Sequence, residues 1–307
     1  MAVVALAIVA ATGVGVGAER RFGAAALAFS RRMIDVMVWG LLPFITFFVI
    51  SHLHLGGGVG IGLALAFVEL AVVGGMAYVI GTRGLRLPRP SVGALILTVI
   101  LANTGYLGIP LNAALLGHGA LAPAIAWDTV VSQVVLYTAG FGIGATFGTR
   151  AGDTPRDRLR AFLTRNPVLW ALVAGLLVPD SAVPQVAVDV AKACAAYALL
   201  PFGFFILGVN LMGERDDGVL AFPPPFTAPI AVSILLRMIV APALLVALSA
   251  LTVAVPKAYV VQAAMASGIN SLIVGHLYGL DLRLAAGAIA WSTAIAVVAA
   301  LCLAPLI

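Results

Sequence analysis

Charged side chains are scarce in this chain: Asp, Glu, Lys and Arg make up 9% of its 307 residues. An ordinary globular domain carries about 25%, so there is too little charge to coat a water-facing surface, and a soluble enzyme is not expected. Cysteine is scarcer still. Cys194 and Cys302 lie far apart, each in an apolar run, and both read as buried small side chains rather than as a disulfide or a metal pair. The four histidines, His52, His54, His118 and His276, have no clustered carboxylates or cysteines beside them, so no zinc site is expected. There is no Walker sequence for ATP and no Ser/His/Asp arrangement, and Gly13-Val14-Gly15-Val16-Gly17 lacks the preceding strand a dinucleotide loop needs. No enzymatic activity and no cofactor are expected. The formal charge of +5 comes from short basic clusters without a stripe or an aromatic platform, which argues against nucleic acid. Lipid is the surface partner that remains.

What is present is apolar: 63% of the residues, with a mean hydropathy of +1.14. Reading apolar runs against Gly, Pro and charge gives ten candidate membrane helices, at about 1–18, 32–52, 59–81, 92–115, 121–147, 166–180, 186–212, 227–250, 257–278 and 282–306. The first is followed by Glu19, Arg20 and Arg21 and has no basic leader, the reverse of a signal peptide, so it is kept as a span. Alternating the loops puts Arg20, Arg21, Arg31, Arg32, Arg83, Arg86, Arg89, Arg150, Arg156, Arg158, Arg160, Arg165, Arg215 and Arg283 on one side and Lys257 alone on the other. By the positive-inside rule this predicts a multi-pass inner or plasma membrane protein with both termini outside the cytoplasm.

The spans divide into halves. Leu41-Leu42-Pro43-Phe44 returns as Leu199-Leu200-Pro201-Phe202, with Phe47 matching Phe205, and Thr104-Gly105 of span four matches Ser267-Gly268 of span nine. Each half has five spans, an odd number, so the second enters the membrane inverted. The expected fold is therefore an all-α membrane protein of two inverted five-helix repeats, residues 1–147 and 166–307, joined by a cytoplasmic linker at 148–165.

Two polar, helix-weakening stretches interrupt this apolar pattern. Span four holds Asn103-Thr104-Gly105-Tyr106-Leu107-Gly108-Ile109-Pro110-Leu111-Asn112, and span nine holds Ala266-Ser267-Gly268-Ile269-Asn270-Ser271. Proline removes a donor and crowds the carbonyl four residues back, while glycine tolerates non-helical backbone. If both helices break, their new N-termini present N–H groups with positive partial charge, and Asn103, Asn270 and Asn112 add side-chain donors for an anion. Packed, kinked helices are the alternative. Glu69, Arg237 and Asp128 lie at membrane depth, where an ionisable group is costly and a functional candidate. Glu69 and Arg237 either form an ion pair holding the halves together, or Glu69 is a proton or cation site and Arg237 an extra positive charge near an anionic substrate. Asp128 is either a proton carrier or hydrogen-bonded to Thr129 or Ser132. Asp189 and Lys192 read as a local helix pair, and Gly140, Gly144 and Gly148 as a close-packing face.

At both interrupted spans the sequence resembles the auxin efflux carrier family, which includes plant PIN proteins and bacterial malonate-type permeases. The likeness rests on Asn103-Thr104 with Gly108-Ile109-Pro110-Leu111, on Gln262-Ala263-Ala264 with Gly268-Ile269 and Tyr278, on Trp127 with Thr129, and on the ending Leu303-Ala304-Pro305. It implies that spans four and nine break and cross, and that a moving part carries an organic anion past a scaffold, as an elevator does. It also implies a carboxylate site beside the crossing, with Asn103 at the family's asparagine position. Plant relatives have prolines in the span-nine break, whereas this sequence has Ala266 and Ser271.

The combined expectation is a secondary transporter of a mono- or dicarboxylate, possible as a homodimer and with proton or sodium as a coupling ion. Substrate contacts are expected from Asn103, Thr104, Gly105, Tyr106, Pro110, Asn112, Ser267, Gly268, Asn270 and Ser271. The rivals are a carboxylate sensor or channel, and a cation antiporter of the same fold. The antiporter calls for acidic residues at the break, where the sequence shows asparagines and serines.

Overall fold

Proline accounts for three of the six wide turns that interrupt the described helices. In the computed structural model, which describes residues 2–52, 57–149, 167–198, 201–202, 205–206, 208–209, 212 and 225–303, three wide π-helical turns each end two residues before a proline. They are Met37–Leu41 before Pro43, Thr104–Gly108 before Pro110, and Leu236–Val240 before Pro242. A proline ring clashes with the carbonyl four residues back, here that of Trp39, Tyr106 or Met238. Widening the turn moves that carbonyl aside.

The described residues are all helical apart from turns and one isolated β-bridge. In sequence order the helices are α1 (Ala2–Phe22), α2 (Ala24–Val36), α3 (Leu42–Ile50), α4 (Gly57–Val79), α5 (Arg89–Ile100), α6 (Ile109–Leu116), α7 (Leu121–Ala126), α8 (Gln133–Val135) and α9 (Phe141–Phe147). They continue with α10 (Pro167–Leu177), α11 (Gln185–Tyr197), α12 (Ala228–Leu235), α13 (Ala241–Leu251), α14 (Lys257–Ala263), α15 (Asn270–Tyr278) and α16 (Leu282–Leu303). Among the described residues, four continuous stretches are long and apolar enough to cross a membrane: Gly60–Gly84, His118–Phe147, Ala228–Leu251 and Leu282–Cys302. Trp39–Ile50 and Arg89–Ile100 are shorter apolar helices. The expected first loop is instead helix, since α1 runs through Arg20 and Arg21 and α2 through Arg31 and Arg32. Most of the expected linker at 148–165, together with His54, Leu199, Leu200, Arg215 and Ala304-Pro305, lies outside the described residues.

Apolar burial is distributed around three centres. Every residue of α5 from Ser91 to Ile100 is buried, and this helix anchors the largest centre, with Leu70 and Val73 of α4, Trp127, Leu236, Tyr259 of α14 and Tyr278 of α15. A second centre joins Ile45, Val49 and Ile50 of α3 to Ile109, Leu121, Ile125 and Ala191. The smallest, Leu107, Leu111, Met265, Ala266, Ala296 and Ala300, wraps both interrupted stretches against α16. Large apolar side chains such as Leu6, Val14, Trp39, Leu177 and Leu251 are exposed, as lipid contact requires. Cys302 is exposed as well and Cys194 half-buried, so neither is the fully buried side chain expected from its run. Asp189 accepts from Gln185 Nε2 at 2.9 Å, one turn back, rather than pairing with Lys192.

The turns at 84–89, 148–149 and 279–281 are fastened together at one end of the molecule. Asp281 N–H donates to the Pro90 carbonyl, Ser91 Oγ to Asp281 at 2.6 Å, and Thr149 N–H to the Gly279 carbonyl. Arg89 Nη2 donates to the Thr146 carbonyl beside them, and Arg83, Arg86 and Arg283 stand in or next to these turns in sequence. Lys257 starts α14 at the opposite end, beside an open cavity of about 460 Å³ lined by Leu115, Leu116, Gly119, Ala120, Pro123 and Pro256.

Candidate functional site

Both polar stretches are interrupted, and the interruptions meet. α5 stops at Ile100, the backbone is extended through Leu101, and a new helical run starts at Thr104 and continues into α6. α14 stops at Ala263 and α15 starts at Asn270. Between these ends Ala102 and Ser267 face each other in a single antiparallel bridge. Asn103 N–H donates to the Ala266 carbonyl at 2.8 Å and Gly268 N–H to the Leu101 carbonyl at 2.6 Å. Gly268 is required there, because a Cβ would sit 2.8 Å from the Ala102 carbonyl oxygen.

Breaking a helix inside a membrane exposes the last carbonyls of the first half, and each needs a donor. In α5 the Leu97 carbonyl takes Leu101 N–H, Thr98 takes Ser267 Oγ at 2.7 Å, and Val99 takes Arg237 Nη1 at 3.0 Å. In α14, Ala264 N–H serves Val260 and Val261, Met265 N–H serves Gln262, and Arg237 Nη2 serves Ala263. One buried guanidinium therefore reaches the ends of both half-helices. Its Nη1 also lies 3.9 Å from Glu69 Oε1, the contact of the ion-pair alternative. Neither Glu69 oxygen accepts a hydrogen bond among the described residues.

The candidate residues then separate by whether their polar groups are occupied. Ser267 Oγ is used by Thr98 and its N–H by Ser292 Oγ at 3.0 Å, and Ser271 Oγ turns back to the Gly268 carbonyl at 2.7 Å. Asn112 is fully buried, its Nδ2 on the Gly108 carbonyl at 2.9 Å and its Oδ1 without a donor among the described residues. Tyr106 packs into the α3 centre, and Pro110 sits in the first turn of α6. Asn103 and Asn270 are half-buried, and among the described residues neither side chain is hydrogen-bonded.

Asp128 alters the chemistry expected here. It belongs to the turn Trp127–Ser132, yet its Oδ1 accepts from Thr104 Oγ1 at 2.5 Å, Thr104 Oγ1 also lies 2.9 Å from Ser132 Oγ, and the carboxylate faces Gly105. The break therefore does hold an acidic group, delivered from the next helix, contrary to the expectation drawn from the two stretches alone. Its partner is Thr104 rather than Thr129.

The comparisons agree with a transport role. The family described as Membrane transport protein matches residues 158–303. An uncharacterized transporter of Methanocaldococcus jannaschii is 27% identical over 273 residues, covering 83% of this sequence and 82% of the relative. The likeness to membrane transporters spans the second half of the chain for the family and most of its length for the relative. The meeting point of the breaks also holds a residue that appears in the sequence only as part of the family likeness. Gln262, one residue from the end of α14, donates through Nε2 to the Thr104 carbonyl at 3.3 Å and the Ala124 carbonyl at 2.9 Å. Those two carbonyls fix the amide's orientation and turn Oε1 onto Gly108. A lone glutamine in an apolar run was the available signal.

Proposed function

We propose that this transporter carries a small organic anion, a mono- or dicarboxylate, by alternating access, with the paired breaks of its ten-span inverted repeat as the binding site. The observation that carries the reading is the meeting of two new helix starts, at Thr104 and Asn270, beside the 102–267 bridge, with the amides of Asn103 and Asn270 unoccupied. A helix start carries roughly half a positive charge and several unmatched N–H groups, so two starts with two free amides suit a carboxylate. Hydrogen bonds link α5, the 104–108 turn, α7, α14 and α16, and α3 meets its neighbours through apolar side chains. A cohesive part sliding on a greasy one supports an elevator motion.

The test is uptake of labelled malonate or malate into proteoliposomes, with counterflow to separate a carrier from a channel or sensor. Asn103→Ala and Asn270→Ala should each raise the half-saturating concentration at least about tenfold, the loss of one to two hydrogen bonds to a charged ligand. Unchanged uptake in both removes the site assignment.

Asp128 favours a second reading, in which a cation or proton occupies the Thr104–Asp128–Ser132 group, either coupled to the anion or as the transported species. Imposed proton and sodium gradients distinguish these cases. Asp128→Asn should abolish gradient dependence if the group holds the coupling ion, and gradient-independent flux in the parent protein leaves a uniporter.

A further inference from the structure

We infer that Arg237 is a positioning residue that holds the two breaks in register by closing both half-helix ends at once, and that its charge is balanced chiefly by those ends rather than by Glu69. The geometry is specific. Arg237 Nη1 donates to Val99, one residue from the end of α5, and Nη2 to Ala263, the last residue of α14, so one rigid fork joins two elements interrupted at the same depth. The Glu69 contact, at 3.9 Å, is longer than a hydrogen bond, and both carboxylate oxygens lack donors among the described residues. A helix C-terminus carries about half a negative charge, so two of them offset about one guanidinium. Lysine keeps the charge but lacks the planar fork that spans two carbonyls. Ser233 Oγ, bonded to Thr98 Oγ1 at 2.9 Å one turn before Arg237, places α12 on the same end of α5 and aims the arginine between the breaks.

There is a consequence for selectivity, which rests on the anion reading proposed above. Four helix ends meet at the crossing, two positive starts and two negative finishes. With the finishes covered by Arg237, the starts face the site unopposed and the local field favours a negative guest.

The positioning claim is testable without knowing the substrate. Ala102 and Ser267 form the close, non-hydrogen-bonded type of antiparallel pair, whose Cα separation of about 4.5 Å suits a disulfide. In protein with Cys194 and Cys302 replaced by alanine, Ala102→Cys with Ser267→Cys should cross-link readily in detergent under mild oxidation. Adding Arg237→Lys or Arg237→Met should slow that closure roughly tenfold, the loss expected for a charge-assisted hydrogen bond. Glu69→Gln should leave the rate within about twofold, the change expected of a weak ion contact. A control pair at the arginine-rich end, Ser91→Cys with Asp281→Cys, should close at its parent rate in every background, which separates a local loss of register from general loosening. The inference is overturned if Glu69→Gln slows the 102–267 closure as much as Arg237→Met, or if none of the three changes it. Should the Arg237 variants fail to purify while Glu69→Gln behaves normally, the inference stands; failure of all three overturns it. None of these outcomes depends on malonate transport, so the inference and the anion reading can fail separately.

Discussion

Gly108 has no room for a methyl group. A Cβ there would overlap Gln262 Oε1, and the amide cannot turn away without abandoning the Thr104 and Ala124 carbonyls. Gly108→Ala should therefore lower stability by about 1–3 kcal/mol, read as an earlier unfolding midpoint in detergent. Gly119→Ala, which meets nothing within 4 Å, should leave the midpoint unchanged. Thr104→Val removes the hydroxyl that serves the Asp128 carboxylate and should cost about 1–3 kcal/mol, whereas Thr104→Ser should keep most of it. These side chains were unevenly legible in the sequence. Asn103 and Asn270 stand out because asparagine in an apolar run has no local partner. Asp128 stands out too, but its destination does not, because a helix pattern shows which residues share a face and not which neighbour that face meets. Nor does the pattern show that the hydroxyls of Ser267 and Ser271 donate to the backbone carbonyls of Thr98 and Gly268.

At the scale of elements, Gly and Pro marked where span four would give way, and Gly268 with its polar neighbours marked span nine even without proline. The wide turns were less visible, because a proline shows that the carbonyl four residues back must move and not whether the helix answers by kinking or by widening. That the two breaks cross followed from the family likeness, but the hydrogen bonds that pair them could not be read, since their donors and acceptors are backbone groups common to every sequence. The bridge also gives a test of the motion. If the breaks travel together as one part, the 102–267 disulfide should leave substrate exchange within about twofold of the reduced protein, a small effect on the barrier. If they must separate to let the substrate through, oxidation should stop exchange and reduction restore it.

For the whole molecule, charge asymmetry was the plainest message of the sequence, and Arg83, Arg86, Arg89 and Arg283 stand in or next to the turns that hydrogen bonds fasten together, while Lys257 starts α14. With the native cysteines replaced, Lys257→Cys should react with a membrane-impermeant thiol reagent on intact cells, and Arg283→Cys only after permeabilisation. The reverse pattern would invert the assigned orientation. The tether at the crossing has a consequence for descent as well. It consists of the backbone N–H groups of residues 103 and 268 and the backbone carbonyls of 101 and 266, so among ordinary substitutions only proline at 103 or 268 deletes one of those groups. A lineage can therefore exchange the amides at 103 and 270, the groups proposed to hold the cargo, while the joint that carries them is inherited untouched.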